Sequence, residues 1–479
     1  MTKYLPYRPF LIWSLLLVPL LAAGCAGSQE AEGENPRRQR QVRPQADVLA
    51  GPNLAPTSGQ VRTIQLYPAT DEEVRGASGG GAGIETRLPV LPSRLAGSQS
   101  EAASSLRSGA IAGEGESRLR LRLEFDLMEQ NGRPLSIYFY HADRTWRRDL
   151  IPTQFLDSFQ DDNLIRYTPS RATEVPYVHY EYAFPNESIG FLEQASGNYI
   201  LRVTEQGRED EVLFERAFFL TEQATPVDLA LDAVLTGGRG FPSVQPVALF
   251  QPPASLTGNV FNYDVCFVRN GQFDQARCSD RPSLNQQPSL LFQLQPETAF
   301  EPVPADYFLD LGALQVSNRI AKVDYTTDPY EVVLEPDYAR FAGTLDGELL
   351  NGQTVVSGAV RDVTDADVAA KYVQARFQYV PDGEQPLRGE VLVIGSFNNW
   401  QYDPANALQW VAERGRYEGE VLLKQGYYEY RYVTTDREAA RELAGTLPRQ
   451  DNRYTAFVYY QDIELNTDRL LAVQGTTTR

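Results

Sequence analysis

The chain has 479 residues, of which 42% are hydrophobic, and its 63 acidic side chains outnumber 44 basic ones for a formal net charge of −19. A chain of this length can bury several hydrophobic cores, which predicts two to four domains. The acidic balance disfavours a nucleic-acid partner, because binding to phosphates rewards clustered cations. We therefore expect a multidomain protein that does not bind nucleic acid.

The N-terminus carries the pattern of an export signal. Two basic residues precede an apolar run over residues 9–23, which has the length of a signal-peptide core and is short for a membrane span. With the sequence LAAGC ending at Cys25, it resembles a bacterial lipoprotein signal, which implies cleavage of residues 1–24 and lipidation of Cys25. An ordinary secretory signal is the alternative. Both interpretations place the mature chain outside the cytoplasm.

The predicted membrane anchor is a lipid on Cys25, because no later stretch is long and apolar enough for a membrane helix. Ala26 stands where an Asp would signal retention in the inner membrane of some bacteria, which favours the outer membrane. The predicted location is therefore the periplasm, with the lipid in the outer membrane.

Composition divides the rest of the chain. Residues 25–59 are polar and rich in Pro, Gly, Arg and Glu, which predicts a flexible tether because such a segment buries little apolar surface. The predicted domains are a first β-sandwich over 60–222 with a disordered loop near 69–116, a second β-rich domain over 223–360, and a C-terminal β-sandwich over 361–479.

Alternating hydrophobicity dominates these domains. Residues 119–127, LRLRLEFDL, alternate Leu and Phe with polar residues that include Arg122, Glu124 and Asp126, the period of a half-buried strand. Similar short strands separated by turn signals recur to the C-terminus, and ADVAA, residues 366–370, is the single short helix that we mark. The predicted fold class is all-β, with tandem antiparallel β-sandwich domains.

Two cysteines lie in the body of the chain. Cys266 and Cys278 flank an Asn-Gly pair, residues 270–271, which is a hairpin-turn signal between two predicted strands. We expect a disulfide that closes this hairpin, because export places the chain in an oxidising compartment. Zinc is a poor alternative, since His141 and His179 are the only imidazoles that could complete a site.

The sequence contains none of the GxSxG, HExxH or P-loop motifs. The two histidines lie far apart, and His179 in YVHYEY is interpreted as a strand residue with a satisfied ring rather than as a base. Carboxylates are plentiful enough for a glycosidase-like pair, but no pattern singles out two of them. We therefore expect no enzyme, no catalytic residue, no metal, no cofactor and no small-molecule substrate.

Several long motifs resemble one family. The segment from HADRTWRRDLIP to VPYVHYEYAFPN, followed by SGNYILRV, resembles the first domain of type IX secretion system plug proteins. YTTDPYEVVLEPDYAR, GEVLVIGSFNNWQ, LLKQGYYEYRYV and NRYTAFVYYQDIELNTDRLLAV resemble the rest of that family, in the same order. The resemblance implies a periplasmic β-protein that binds a giant outer-membrane β-barrel translocon and closes its periplasmic end when no cargo is in transit.

The segment GSFNNW, residues 395–400, also resembles a loop of the early-set, immunoglobulin-like modules that bind glycogen-like glucans. That resemblance implies a sugar stacked on Trp400, with Arg431 and Asn452 as further contacts, and the alternative function is a cell-envelope lipoprotein that binds α-glucan. The second stacking Trp of those modules has no counterpart, so such a site would bind weakly. An accessory enzyme acting on glucans is a third hypothesis.

A tight β-turn is the competing interpretation of GSFNNW. In it, Phe397 packs inward while Asn398 and Asn399 bond their own backbone, and the fold persists without sugar binding. The same exposed loop could also serve as a protein interface.

Overall fold

The computed structural model describes residues 51–52, 54–70, 87–95, 119–158, 160–171, 174–235, 242–257, 259–283, 285, 288–301, 306–339, 350–356, 365–444 and 451–478. All of them belong to one compact unit, Ala46–Arg479. The predicted signal peptide, Cys25, and most of the predicted tether and first-domain loop lie outside the described residues.

The first sandwich packs two sheets against each other. One sheet contains, in spatial order, β1 (Val61–Thr70), β3 (Leu119–Leu127), β7 (Val178–Phe184) and β6 (Tyr167–Pro169). The other contains β2 (Val90–Pro92), β9 (Val212–Thr221), β8 (Gly197–Glu205), β4 (Leu135–Ala142) and β5 (Asp161–Leu164), and the short helix α1 (Pro152–Phe155) follows β4. Phe125 stacks on Tyr180 at 5.0 Å and meets Phe214 of the facing sheet at 4.9 Å, so the alternation of β3 fills this core.

The second sandwich is completed by the C-terminus. One sheet contains β10 (Val227–Val234), β11 (Ser243–Phe250) and β14 (Leu290–Gln293). The other contains β13 (Arg277–Ser279), β12 (Tyr263–Arg269), β24 (Arg453–Asp462) and β25 (Thr467–Thr477). Because β12 pairs with β24, this sheet joins strands from both sides of the boundary that the sequence predicts at residue 361.

The third body is a nine-stranded sheet whose strands share one hydrophobic core. It contains β15 (Tyr307–Asp310), β23 (Tyr427–Thr434), β20 (Val391–Gly395), β21 (Ala407–Val411), β22 (Arg416–Lys424), β19 (Tyr372–Val380), β17 (Glu331–Leu334) and β16 (Ile320–Asp324), with β18 (Asp337–Tyr338) also paired to β19. Two helices belong to this part of the chain, α2 (Ala366–Ala369) and α3 (Arg437–Ala444).

The predicted helix at ADVAA is α2, but α3 has no counterpart among our predicted elements. Asp436 caps α3, because its Oδ1 accepts the backbone N–H groups of Glu438 and Ala439 at 2.9 and 3.0 Å. Leu443 then packs into the core of the nine-stranded sheet. The Asp before REAARELA was the available signal, and the eight-residue length of the helix made it weak.

The predicted all-β class is confirmed. Strand pairing is antiparallel except in three pairs of the described strands, β2 with β9, β17 with β19 and β18 with β19, which are parallel. In the part of the chain that the structure describes, no helix has the length and apolar character needed to cross a bilayer.

An apolar seam joins the first sandwich to the second. It consists of Trp146, Phe219, Cys266, Phe273, Cys278 and Phe457. The Phe219 ring lies 4.8 Å from both the Phe273 and the Phe457 rings, and Trp146 meets it edge-on at 5.6 Å. Since these side chains come from both sandwiches, the two bodies share a continuous hydrophobic core at this contact.

Candidate functional site

A charged seam joins the first sandwich to the third body. It consists of Arg122, Glu124, Asp126, His179, Asp367 and Lys424, all of them buried. Three of these residues alternate with the core leucines of β3 and therefore point away from the first core. His179 of β7 pairs in register with Asp126, while α2 and the end of β22 provide the last two side chains.

Asp126 is the centre of this seam. Its Oδ2 accepts hydrogen bonds from Lys424 Nζ at 2.6 Å and from the Tyr372 hydroxyl at 2.8 Å, and its Oδ1 lies 2.8 Å from His179 Nδ1. Burial alone would raise the pKa of the Asp126 carboxyl, but the charge of Lys424 and the bond to His179 hold it below its usual value. Asp126 is therefore an ionised, fully desolvated carboxylate with three partners.

Lys424 links the third body to two other parts of the chain. Besides Asp126, its ammonium group donates to the backbone carbonyl of Asp367 at 2.6 Å and lies 4.2 Å from the centroid of the Tyr177 ring. The Tyr177 hydroxyl donates to the carbonyls of Asp367 and Ala370 at 3.0 and 2.8 Å, which holds the end of α2 against β7. Charge, ring and backbone contacts thus converge on one ammonium group.

Glu124, His179 and Asp367 form a second cluster beside Asp126. Each offers one ligand atom, and these atoms all lie within 4.8 Å of one another. Burial and the nearby Asp367 carboxylate raise the pKa of Glu124, although Arg122 lies 2.5 Å from its Oε1. Burial lowers the pKa of His179, but the hydrogen bond to Asp126 together with the charges of Asp126 and Glu124 outweighs burial and leaves the pKa raised. These are the described residues best suited to hold a cation.

Trp400 of the GSFNNW loop is buried, with 8% of its surface exposed. Its Nε1 donates to the carbonyl of Gly352 at 3.0 Å, and the Arg431 guanidinium lies 4.6 Å from its ring centroid. Asn399 and Trp400 both adopt positive φ, at 55° and 60°. The indole is held as a packed core group rather than presented as an open platform for a sugar.

The neighbouring residues of the loop bond locally. Asn398 Oδ1 accepts the N–H of Gly395 at 3.0 Å and its amide donates to the carbonyl of Gln401 at 2.7 Å. Phe397 packs against the core of the nine-stranded sheet, and Asn399 is exposed. This arrangement corresponds to the β-turn interpretation of the segment.

Asn452 and Arg431 take part in separate contacts. Asn452 Oδ1 accepts the amide of Asn270 at 2.8 Å, within the second sandwich, whereas Arg431 pairs with the buried Asp306 through Nε at 2.8 Å. Of the residues predicted to contact a glycan, Trp400 and Arg431 lie in contact with each other. Asn452 is bonded to the hairpin turn at Asn270. That turn packs against the 350–352 segment, to which Trp400 is bonded.

Glu429 of β23 secures the 350–352 segment. Its two carboxylate oxygens accept the backbone N–H groups of Leu350 and Gly352, at 2.9 and 3.0 Å. Burial and the neighbouring Asp306 raise the pKa of Glu429 to about 7, although the two backbone hydrogen bonds and the charge of Arg431 act in the opposite direction. A carboxyl group that changes charge near neutral pH therefore fastens the segment on which the hairpin turn of the second sandwich packs.

An open groove of about 630 Å³ runs beside the loop. Residues from β1, the disulfide hairpin and the stretch 396–405 line it, among them Arg62, Asp274, Asn399 and Tyr402. Tyr402 is 56% exposed. The groove has walls of mixed polar and apolar character, and it brings segments of all three bodies to one surface.

Cys266 and Cys278 lie directly opposite each other on β12 and β13 and form a disulfide, with their Cα atoms 4.0 Å apart. Asn270 and Gly271 both have positive φ, as the Asn-Gly turn signal requires. His141 is also buried, with Nδ1 2.7 Å from Asp149 and Nε2 3.3 Å from the Ser196 carbonyl.

The sequence identified β3 but not the role of its polar face. A solvated face was the simpler interpretation of Arg122, Glu124 and Asp126, yet this face is buried under residues about 240 to 300 positions further along the chain. The one local signal was an imidazole at position 179 in the partner strand, among aromatic residues.

The sheets define an all-β protein of packed, mainly antiparallel sandwiches. Residues 109–222 match the family described as Type 9 secretion system plug protein 1st domain. This match supports the resemblance to the type IX secretion plug family that the motifs predict, and it indicates a role in type IX secretion on the periplasmic side of the cell envelope. The resemblance of residues 395–400 to early-set glycan-binding modules stays a prediction.

A solved structure of a hypothetical protein from Parabacteroides merdae is similar over 90% of this chain and 100% of its own, with a TM-score of 0.71 and 20% identity. At that identity the likeness shows the fold alone. An enterococcal surface protein, partial N-terminal region, matches over 91% and 96% of the two chains at 7% identity, but its TM-score of 0.17 supports no argument. No curated protein sequence matches the chain.

Proposed function

We propose that this protein is a periplasmic plug of the type IX secretion system, which binds the large outer-membrane β-barrel translocon and closes its periplasmic end when no cargo is present. The observation that carries the proposal is the match of residues 109–222 to the plug protein first domain. The partner is therefore another protein, and no nucleic acid or small-molecule substrate takes part.

The way the three bodies are joined supports this role. A plug must cover a wide aqueous opening without being deformed, which favours a rigid assembly over hinged domains. The apolar seam and the charged seam fix the first sandwich to both other bodies. Glu429 of the third body holds the 350–352 segment, against which the hairpin turn of the second sandwich packs. The plug would thus move as a single body when cargo arrives.

The proposed action is binding without catalysis. Three deeply buried ionisable groups, Asp126, Lys424 and Glu429, hold separate parts of the chain together. Paired groups of this kind stabilise a chosen arrangement of domains. Contacts with the translocon would then come from the polar exterior, where modest, exchangeable interfaces permit release.

The proposal includes a lipid anchor on Cys25 that tethers the plug to the outer membrane beside its barrel. Cys25→Ser should release the protein from the membrane fraction into the soluble periplasm, since a single lipid-bearing residue is the proposed anchor. Membrane retention of that variant at the wild-type level would contradict the anchor while leaving the plug itself open to test.

Affinity purification tests the partner. A C-terminal tag on the full chain, expressed in its own cells and extracted in mild detergent, should recover one very large outer-membrane barrel. Adding the purified protein to that barrel in a planar bilayer should then reduce its ion conductance. Recovery of no such barrel would overturn the proposal, and binding without a conductance change would remove the closing function.

Two lysine variants provide a matched comparison. Lys371 is a partly exposed lysine that pairs with Glu174 at 2.5 Å, and Lys371→Met should close the barrel as the wild type does. Lys424→Met, which disrupts the charged seam, should close it poorly if rigidity of the plug matters. Both proteins are compared at a temperature where circular dichroism shows them folded.

A further inference from the structure

We propose that Glu124, His179 and Asp367 form a binding site for a divalent transition-metal ion of the zinc class, which fastens α2 to the first sandwich. The three residues come from β3, β7 and α2, so an ion between them would cross-link segments that are far apart in sequence. The sequence predicted no metal, because residues 124, 179 and 367 show no ligand spacing.

The distances suit a small ion. The three ligand atoms lie within 4.8 Å of one another, and His179 Nε2 is 4.0 Å from Glu124 Oε1. Ligands bound to tetrahedral zinc at about 2.0–2.2 Å lie roughly 3.4 Å apart. Small rotations of the two carboxylate side chains would therefore close the site without a change in the backbone.

His179 is already oriented as a ligand. Its Nε2 is buried and has no hydrogen-bond partner among the described residues, while its Nδ1 is held 2.8 Å from Asp126. A buried polar atom left without a partner is costly, and such atoms in folded proteins call for an explanation. A carboxylate on one imidazole nitrogen with a metal on the other is a recurrent arrangement, because the carboxylate fixes the ring and its tautomer.

The charge balance also favours a cation. The seam contains three carboxylates, on Glu124, Asp126 and Asp367, against the permanent charges of Arg122 and Lys424. The Glu124 and Asp367 carboxylates have oxygen atoms within 4.8 Å of each other, which is an unfavourable like-charge contact in a buried site. A divalent ion between the two carboxylates would relieve this contact.

The donor set indicates the kind of metal. One imidazole nitrogen with two carboxylate oxygens suits zinc and its first-row neighbours, whereas Mg²⁺ and Ca²⁺ prefer sites made of oxygen alone. Because the site is enclosed, with all three residues buried, the ion would serve a structural purpose. We therefore choose Zn²⁺ as the probe, with Mg²⁺ and Ca²⁺ for comparison.

Calorimetric titration of the full chain tests the site. After dialysis against EDTA, the protein should bind one equivalent of Zn²⁺ and unfold at a higher temperature with it. His179→Gln and Asp367→Asn should each abolish this binding and the thermal shift. His141→Gln, which changes the other buried imidazole, should retain both, because its two ring nitrogens already have partners.

The Asp367 variant keeps the test valid if His179→Gln fails to fold, since Asp367 lies on the four-residue helix α2 and not on a strand of the first sandwich. Replacement of Zn²⁺ by Co²⁺ should give visible absorption bands in the wild type that both ligand variants lose. A folded wild type that binds no Zn²⁺ would overturn the site, as would Zn²⁺ bound equally by the ligand variants or binding of Mg²⁺ or Ca²⁺ in preference to Zn²⁺.

Discussion

The first sandwich contacts its two neighbours through seams of opposite chemistry. Towards the second sandwich it presents Phe219 and Trp146 to Phe457 and the disulfide hairpin. Towards the third body it presents a row of charged groups on β3, opposite Lys424 and α2. Both seams lie between packed bodies, so they differ in the kind of interaction that stabilises each contact.

The stability of an apolar seam depends on close packing of its side chains, whereas that of a charged seam depends on every buried ion keeping its counter-ion and hydrogen bonds. Burial of aromatic rings is favourable without strict direction, so losing one ring removes its own contribution and leaves a cavity. Burial of an ion is repaid only by its counter-ion and hydrogen bonds, so losing one member leaves the others unpaired. The charged seam therefore specifies one arrangement of the domains more strictly, and it fails more abruptly.

Removing Lys424 should have the largest effect on stability. Lys424→Met keeps the length of the side chain but leaves Asp126 buried without its ammonium partner, and the free energy of unfolding should fall by about 4 kcal/mol. Urea denaturation followed by tryptophan fluorescence measures the change. The matched variant Lys371→Met breaks a half-buried pair with Glu174 and should cost at most about 1 kcal/mol. Equal losses of unfolding free energy in the two variants would contradict the conclusion that the charged seam requires every partner.

Truncating Phe219 should have a somewhat smaller effect. Phe219→Ala removes the ring that touches Phe273, Phe457 and Trp146, and the cavity should lower the free energy of unfolding by about 3 kcal/mol. The measurement is the urea midpoint at constant slope. Phe261, which is 63% exposed, provides the control, since Phe261→Ala should change stability by less than about 0.5 kcal/mol. A Phe219→Ala loss below about 1 kcal/mol would show that the seam is loosely packed.

Local sequence patterns predicted the core face of β3 and the disulfide hairpin of the apolar seam well. The alternation in residues 119–127 defined β3 and its core face, and the Cys spacing around Asn270 and Gly271 defined the disulfide hairpin. These features depend on residues close together in the sequence, because the hydrophobic period defines a strand and the turn residues define a hairpin.

The burial of the charged seam could not be predicted in the same way. Whether the polar face of β3 is solvated or buried depends on Lys424 and Asp367, which no local period connects to residue 126. Trp400 shows the same limit: the GSFNNW turn is readable from sequence, but the burial of the indole depends on Gly352 and Arg431. Pairing of β24 with β12 is likewise non-local, so domain limits drawn from composition cannot show it.

A pH experiment can separate the role of the charged contacts from that of the apolar ones. Burial and Asp306 raise the pKa of Glu429 to about 7, so between its usual range near 4.5 and that value the folded protein holds a proton that the unfolded chain has released. Stability must then fall as pH rises through this window, because the folded state binds more protons there than the unfolded state. The expected fall between pH 5 and pH 7 is about 2 kcal/mol.

Glu429→Gln should remove that part of the pH dependence, because a neutral amide still accepts one of the two N–H groups of Leu350 and Gly352 but cannot lose a proton. Urea midpoints at several pH values measure the slope, with the exposed Glu413→Gln as the control that should leave it unchanged. Phe219→Ala should lower stability equally at every pH, since the apolar seam does not titrate. A Glu429→Gln slope identical to the wild type would mean that this carboxyl stays ionised and is compensated by its two backbone donors and Arg431.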